Sequence, residues 1–215
     1  MKKNNEFLWF DSGKYKVAYK ENQNGGGMHF GQDYINTLLN RYDKKFRKCY
    51  EFCSGPGYIG FSILGAGIAE NLVLSDIYAP AGESVKATIE KNKIESRVNF
   101  YLGAGVSAIN EGNIDLVVSN PPHFLNEVPW LRHIENRIYI DEQWNIHKEF
   151  FQNISSKISD DAIILLQENA LGSSPHDFEE MVDNAGLEIT DYIPINKVVG
   201  KDWIYYLEIR KKVND

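Results

Sequence analysis

The order of hydrophobic and polar residues near the amino terminus predicts a hairpin followed by a helix. Tyr15, Val17 and Tyr19 alternate with polar neighbours, which is the period of a half-buried strand. The polar residues 11–14 separate this run from an earlier apolar one, so we expect a hairpin over residues 7–20. Apolar residues then recur at helical spacing from about Asp33 onward, which predicts a helix. These positions are Tyr34, Ile35, Leu38, Leu39 and Tyr42.

From residue 49 onward the pattern becomes an alternation of strands and helices. Strands such as Ile114–Ser119 are almost continuous apolar runs, as expected where helices cover both faces of a sheet. The sequence therefore predicts an α/β fold with a seven-stranded, mostly parallel sheet that ends in an antiparallel hairpin. The expected strands are Cys49–Cys53, Asn71–Ser75, Val98–Leu102, Ile114–Ser119 and Ala162–Leu166, with two more near Ile189 and Ile204; the expected helices are Tyr58–Leu64, Pro80–Asn92, Glu142–Ile158 and Pro175–Asn184.

Composition and charge narrow the class of protein. The 215 residues, 43% of them hydrophobic, suit one domain with a full core. A net charge of −7 disfavours binding of nucleic acid over a broad surface. Cys49 and Cys53 exclude a disulfide framework, and four residues apart in one strand they are expected to face the same way. Residues 1–6 lack the apolar stretch of a signal peptide, and no run reaches about 18 apolar residues, so we expect a cytoplasmic protein without a membrane segment.

A glycine-rich turn follows the first strand of the alternating region. Gly55, Gly57 and Gly60 allow the backbone to turn sharply and approach a ligand, and the next helix presents its unpaired N–H groups there. This spacing also matches a dinucleotide-binding turn, with Asp76 at the end of the second strand where a ribose hydroxyl would bind. Glu51 distinguishes the two hypotheses, because a carboxylate suits an ammonium group and opposes a pyrophosphate. The turn therefore favours a cationic ligand.

An acidic residue, a glycine-rich turn and a second acid in this order resemble the class I S-adenosylmethionine-dependent methyltransferases, and the likeness covers most of the chain. The resemblance implies a Rossmann-like fold and one methyltransferase domain over residues 1–215, with a hairpin and lid-like helix at 1–47 and a catalytic core at 48–215. It implies that Glu51 lies near the methionine ammonium, that Asp76 holds the ribose hydroxyls and that Ile77 flanks the adenine. The expected S-adenosylmethionine site is Glu51, Cys53, Ser54, Gly55, Pro56, Gly57, Asp76, Ile77, Gly103 and Ala104.

An apolar strand runs directly into Asn120-Pro121-Pro122-His123. The prolines hold this loop rigidly at the carboxyl end of the sheet, where ligands bind in open α/β folds. The Asn120 side-chain oxygen and the Pro121 carbonyl can accept the N–H groups of an amine on a flat group. The loop resembles the Asn/Asp-Pro-Pro-Tyr/Phe motif of amino methyltransferases, including glutamine N5 and small-domain rRNA guanine N2 enzymes. The four residues are therefore the expected catalytic group.

The sequence leaves several questions of function open. His123 stands where that motif has Tyr or Phe, so three roles are open: it stacks on a nitrogen acceptor, it leaves that position to Phe124, or it serves as the base of an O-methyltransferase. A hydrogen-bonded structural histidine is an equally weighted alternative. The acceptor can be a protein glutamine, a small molecule or a nucleobase, and the acidic composition ranks nucleic acid last. An NAD-binding oxidoreductase and an inactive Rossmann-fold binding protein are competing hypotheses from different classes. The histidines show no metal-ligand spacing, so no metal is expected, and the Gly25–Gly27 segment has no assigned role.

Overall fold

A computed structural model describes residues 6–23, 27–195 and 203–213. The strands are β1 Leu8–Asp11, β2 Lys16–Tyr19, β3 Phe46–Phe52, β4 Ala69–Asp76, β5 Val98–Leu102, β6 Ile114–Ser119, β7 Ile158–Asn169, β8 Leu187–Pro194 and β9 Ile204–Lys211. The helices are α1 Gly27–Arg41, α2 Tyr58–Gly65, α3 Ala79–Asn92, α4 Asn136–Tyr139, α5 Asn145–Ile154 and α6 Glu179–Asn184, with short 3-10 turns between them.

Strands β3 to β9 form one seven-stranded sheet in the order β5-β4-β3-β6-β7-β9-β8. The first five strands in that order are parallel, and β9 pairs antiparallel with both β7 and β8. In this register Glu51 lies opposite Leu74 on one side and Val118 on the other. The carboxyl ends of β3, β4 and β6 therefore meet at one edge of the sheet. The predicted α/β fold with its late antiparallel hairpin is confirmed.

Two hydrophobic cores cover the two faces of the sheet. One is formed with side chains of α1, α2 and α3, and the other with side chains of α5 and α6. Strand residues alternate between them: Leu116 and Val118 enter the first, and Val117 enters the second. Every residue of β6 is buried, which explains why its sequence is an almost unbroken apolar run.

The N-terminal hairpin has the half-buried strand that its alternating pattern predicts, and it packs against α3. Tyr15 and Val17 enter the first core, and Thr88 Oγ1 accepts the Ala18 N–H at 2.9 Å. The helix that follows begins at Gly27 rather than near Asp33 and packs against α2. Gly25 and Gly26 lie outside the described residues.

Several element boundaries differ from the sequence-based expectation. Strand β3 ends at Phe52, and Cys53 follows it with a left-handed backbone (φ 52°). Cys49 therefore faces the first core while Cys53 packs against the second, so the prediction that both face the same way is wrong. Helix α5 is shorter than the expected Glu142–Ile158, because Ile158 already pairs with Ile114 at the start of β7. Within the described ranges no helix is long and apolar enough to cross a membrane.

Candidate functional site

A crevice of about 420 Å³ opens at the carboxyl ends of β3, β4 and β6. It lies where β3 has β4 on one side and β6 on the other, which is the switch point at which open α/β sheets bind ligands. Its volume is within the range of roughly 300–1,000 Å³ that is usual for small-ligand sites. Of the residues expected from the sequence, it brings together Glu51, Cys53, Ser54, Gly55, Pro56, Asp76, Ile77, Gly103, Ala104, Asn120 and Pro122; Gly57, Pro121 and His123 do not border it.

The Glu51 carboxyl group lies at the end of β3 and is 2% exposed. Its Oε2 accepts the Gly60 N–H at 2.7 Å, in the first turn of α2. Gly60 must be glycine here, because a Cβ would lie 2.7 Å from Oε2. Burial raises the pKa of Glu51 to about 8, and no described cation forms an ion pair with it. An ammonium group entering the crevice would supply that missing charge.

Asp76 connects the end of β4 to the glycine turn. Its Oδ2 accepts the Gly55 N–H at 2.7 Å, and its Oδ1 accepts the Tyr78 N–H at 2.8 Å. A carboxylate has about four acceptor positions, so these bonds do not fill it. Burial raises the pKa of Asp76, although the backbone N–H groups and the charge of Arg137 oppose this shift. The free acceptor positions suit the two hydroxyls of a ribose.

The third side of the crevice is the loop after β5, which contains Gly103 and Ala104. Glu149 of α5 holds this loop by accepting the N–H groups of Val106 at 2.9 Å and Ser107 at 3.0 Å. Gly105 has φ 71°, and a Cβ there would lie 1.7 Å from a Glu149 carboxylate oxygen. Sequence reasoning missed Glu149, since an acidic residue on a helix usually faces solvent.

The Asn120-Pro121-Pro122 loop is fixed from beneath by buried polar groups. Gln167 Nε2 donates to Asn120 Oδ1 at 3.2 Å, which leaves that oxygen a second acceptor position. The Tyr34 hydroxyl donates to the Ser119 carbonyl at 2.6 Å, and the Ser119 hydroxyl donates to the Phe52 carbonyl at 2.6 Å. The end of β6 is therefore held against its neighbours, and Asn120 is held with it.

His123 is buried beside the proline loop and does not border the crevice. Its ring centroid lies 5.2 Å from that of Phe124, and its Nδ1 is buried without a hydrogen-bond partner in the described structure. Burial lowers the pKa of His123, so the imidazole is neutral near pH 7. The expected direct contact of His123 with an acceptor has no support in this geometry.

A buried charged network, which the sequence does not reveal, lies beside this loop. His147 contacts Asp141 through Nδ1 at 2.7 Å and Glu168 through Nε2 at 3.0 Å. Burial alone would lower the pKa of His147, but the two carboxylates raise it to about 9. Asp141 also donates its backbone N–H to the Phe124 carbonyl at 2.8 Å. The network thus fixes Asp141, whose backbone is hydrogen-bonded to Phe124 just after the proline loop.

These features together fit S-adenosylmethionine. Glu51 lacks a cation, Asp76 retains acceptor capacity, and Gln23 at the crevice wall has a buried amide nitrogen, Nε2, without a partner in the described structure. No group of three or more metal-ligating side chains occurs in the described part of the chain. A seven-stranded, mostly parallel sheet with a crevice of this composition is the architecture that the resemblance to class I S-adenosylmethionine-dependent methyltransferases implies.

Comparison with known proteins agrees with this class. Residues 32–135 match the family model described as "Methyltransferase small domain". Ribosomal RNA large subunit methyltransferase G of Streptomyces coelicolor is 30% identical over 78 residues, 36% of this chain and 21% of that protein. Ribosomal RNA small subunit methyltransferase C of Haemophilus influenzae is 35% identical over 86 residues, 40% of this chain and 25% of that protein. The matches thus span a quarter or less of these relatives.

Solved structures share the fold at low sequence identity. M. jannaschii TYW2 in complex with AdoMet superposes with a TM-score of 0.63 and 11% identity, covering 96% of this chain and 87% of that one. An S-adenosylmethionine-dependent methyltransferase from Clostridium acetobutylicum gives 0.61 and 10%, covering 86% and 91%. The family-model match and the shared fold confirm the resemblance stated from the sequence. The single domain over residues 1–215 stays a prediction.

Proposed function

We propose that this chain binds S-adenosylmethionine in the crevice and transfers its methyl group to a nitrogen of a planar amide or amine. The observation that carries the proposal is the position of Glu51 and Asn120 on one crevice. A buried carboxyl group that pairs with no cation of the described residues lies on one side, and a hydrogen-bond acceptor on a rigid loop lies on the other. Such a pair suits a cationic methyl donor beside a nitrogen nucleophile.

In this proposal, different residues of the crevice bind different parts of S-adenosylmethionine. Glu51 accepts from the ammonium group and Asp76 accepts from the ribose hydroxyls. Ser54, Gly55 and Pro56 of the glycine turn lie along the methionine and ribose. Ile77, Gly103 and Ala104 flank the adenine. When bound, S-adenosylmethionine supplies a methyl group on a sulfonium, which is already a good leaving group.

Asn120 then orients the acceptor. The free acceptor position of Asn120 Oδ1 receives an N–H group of the acceptor, which aims the nitrogen lone pair and stabilises the positive charge that develops on nitrogen. The Pro121 carbonyl, which the sequence suggested as a second acceptor, does not border the crevice. Gln167 limits rotation of the Asn120 amide by its 3.2 Å hydrogen bond. Catalysis here is mainly positioning, and no covalent enzyme intermediate is needed.

A nucleobase of ribosomal RNA is the first acceptor to test. The curated relatives are named as ribosomal RNA methyltransferases, which reverses the ranking that the acidic composition suggested. The net charge of −7 does not oppose a single base that enters the crevice, since counterion release concerns extended phosphate contacts. Protein glutamine and small molecules remain the comparison acceptors.

Three competing functions have less support. An O-methyltransferase with His123 as base needs that side chain at the crevice, which it does not border. An NAD-binding oxidoreductase would place a pyrophosphate near the buried Glu51 carboxyl group, which favours a cation. An inactive binding protein would have no need of the Asn120 acceptor, which is held in place by Gln167.

Two measurements test the proposal. Isothermal titration calorimetry should show binding of S-adenosylhomocysteine, the demethylated product, and much weaker binding of NAD. The protein with methyl-labelled donor should then transfer label to unmodified ribosomal RNA more than to protein or small-molecule fractions, with Asn120→Ala as the background control. Tighter binding of NAD would refute the methyltransferase assignment, and label in another fraction would change the acceptor only.

A further inference from the structure

Gln23 presents a buried hydrogen-bond donor at the wall of the crevice. It ends the 3-10 turn Glu21–Gln23 between the N-terminal hairpin and α1, and it is 7% exposed. Its Oε1 accepts the Lys20 N–H at 2.9 Å and the Ser84 hydroxyl at 2.7 Å. A backbone N–H can only donate, so the Lys20 bond establishes which end of the amide is oxygen. Nε2 is therefore the free end, and among the described residues it has no partner.

The turn that carries Gln23 is held in place on both sides. Asn22 Nδ2 donates to the Tyr78 hydroxyl at 2.8 Å, and the Asn22 carbonyl accepts from Arg137 at 3.1 Å. The Arg137 guanidinium lies 3.6 Å from the centre of the Tyr78 ring. Gln23 is thus presented to the crevice by a positioned segment, which lowers the entropic penalty of using it to bind a ligand.

Gln23 and Asp76 lie against the same end of α3. Ser84, which bonds to Gln23, belongs to α3, and Tyr78, which bonds to Asp76, immediately precedes that helix. Both residues border the crevice. A carboxylate and an amide group without an acceptor among the described residues therefore border the crevice beside the same helix.

We propose that Gln23 binds the donor's ribose, with Nε2 donating to a hydroxyl oxygen whose proton Asp76 accepts. Each ribose hydroxyl has one proton to donate and two lone pairs to accept with, so an acceptor such as Asp76 satisfies the proton and leaves both lone pairs free. Gln23 supplies the missing donor, and the ribose supplies the missing acceptor for a buried amide. This assignment rests on the proposed S-adenosylmethionine site and extends it to a residue outside the glycine turn.

Calorimetry with modified protein and modified ligand tests this contact. S-adenosylhomocysteine and its 2′-deoxy and 3′-deoxy analogues are titrated into the wild-type protein, Gln23→Met and the matched control Gln152→Met, whose side chain is exposed on α5. Gln23→Met should weaken S-adenosylhomocysteine about tenfold, as loss of one buried hydrogen bond does. The analogue that lacks the contacted oxygen should bind Gln23→Met and wild type equally, and Gln152→Met should match wild type throughout.

Gln23→Glu is a second variant in case Gln23→Met misfolds. It keeps an acceptor for the Lys20 N–H and the Ser84 hydroxyl while removing the Nε2 donor. It should give the same dependence on one ribose hydroxyl. Affinity of Gln23→Met within about twofold of wild type overturns the assignment, as does an equal loss for all three ligands, since the contact would then lie outside the ribose. Wild-type protein that binds none of the three overturns the proposed function, and this assignment with it.

Discussion

Replacing Glu51 by Gln should stabilise the ligand-free fold while weakening donor binding. Glu51 is buried, and its pKa rises from 4.5 to about 8 because burial disfavours the charged form. An acidic group whose pKa is higher in the folded than in the unfolded state favours folding most at low pH. This contribution to the free energy of unfolding is lost as the pH rises from the unfolded-state pKa through the folded-state pKa. For Glu51 that loss runs from about pH 4.5 to about pH 8.

The size of the effect follows from the shift. One pKa unit corresponds to about 1.4 kcal/mol, so at about pH 8.5 ionisation of Glu51 lowers the free energy of unfolding by about 4–5 kcal/mol. At about pH 5 the same calculation gives less than about 1 kcal/mol. This is a ceiling, since water that enters the crevice reduces the burial penalty. Gln retains an oxygen for the Gly60 N–H but cannot ionise.

Urea denaturation followed by tryptophan fluorescence at about pH 5 and about pH 8.5 measures the difference. The free energy of unfolding of Glu51→Gln should exceed that of wild type by several kcal/mol at the higher pH and by little at the lower one. Glu95→Gln, at an exposed position, serves as the matched control and should show no comparable change. A Glu51→Gln protein that is less stable than wild type at about pH 8.5 would show that the carboxylate is already compensated.

Ligand binding provides the second half of the same prediction. An ammonium group beside Glu51 favours the ionised form, so binding should release a proton below about pH 8. Affinity for S-adenosylhomocysteine should therefore rise up to about tenfold per pH unit between about pH 6 and pH 7 in wild type. Glu51→Gln should bind more weakly and lack this slope, and an equal slope in both proteins would contradict the pairing.

Three further predictions concern the rest of the site. Asn120→Ala should leave S-adenosylhomocysteine affinity nearly unchanged and lower turnover of the identified acceptor at least ~100-fold; unchanged turnover would remove Asn120 from catalysis. His147→Gln should lower the free energy of unfolding by about 3–5 kcal/mol in urea titrations, because two buried carboxylates lose their cation; a value below about 1 kcal/mol would contradict a charged His147. Gly105→Ala should weaken S-adenosylhomocysteine about tenfold by displacing Glu149, whereas Gly112→Ala, where a Cβ meets open space, should not.

The sequence was sufficient to predict those features of the fold that depend on local residue pattern and on the order of the strands. Hydrophobic periods of two and 3.6 residues indicate element type, and the apolar runs place most strands to within a few residues. Glu51, Asp76 and Asn120 were found because each lies at or just after the end of a parallel strand, and such ends meet at one edge of the sheet. Adjacency in the sequence predicted crevice residues less well, since Pro121 and His123 are next to crevice residues in the chain but do not border the crevice.

Contacts between distant segments could not be predicted in this way. Gln23 meets Ser84 across 61 positions, and Glu149 meets Val106 across 43. No rule of residue spacing predicts either contact, because each depends on how α3 or α5 packs on the sheet. The same holds for His147, whose place between two carboxylates depends on the start of α5 and the end of β7.

The crevice contains buried polar groups whose hydrogen-bonding or charge partners the described protein does not supply. Within the described ranges Glu51 has no cation beside it and Gln23 Nε2 has no acceptor, and each is buried where water is a poor substitute. Both disfavour the ligand-free fold, and both are satisfied by the donor in the proposed arrangement. Because a ligand that binds only the folded state stabilises it by mass action, donor binding relieves penalties that the folded protein already carries. The stability of this protein and its affinity for the donor should therefore respond in opposite directions to the same substitutions at Glu51.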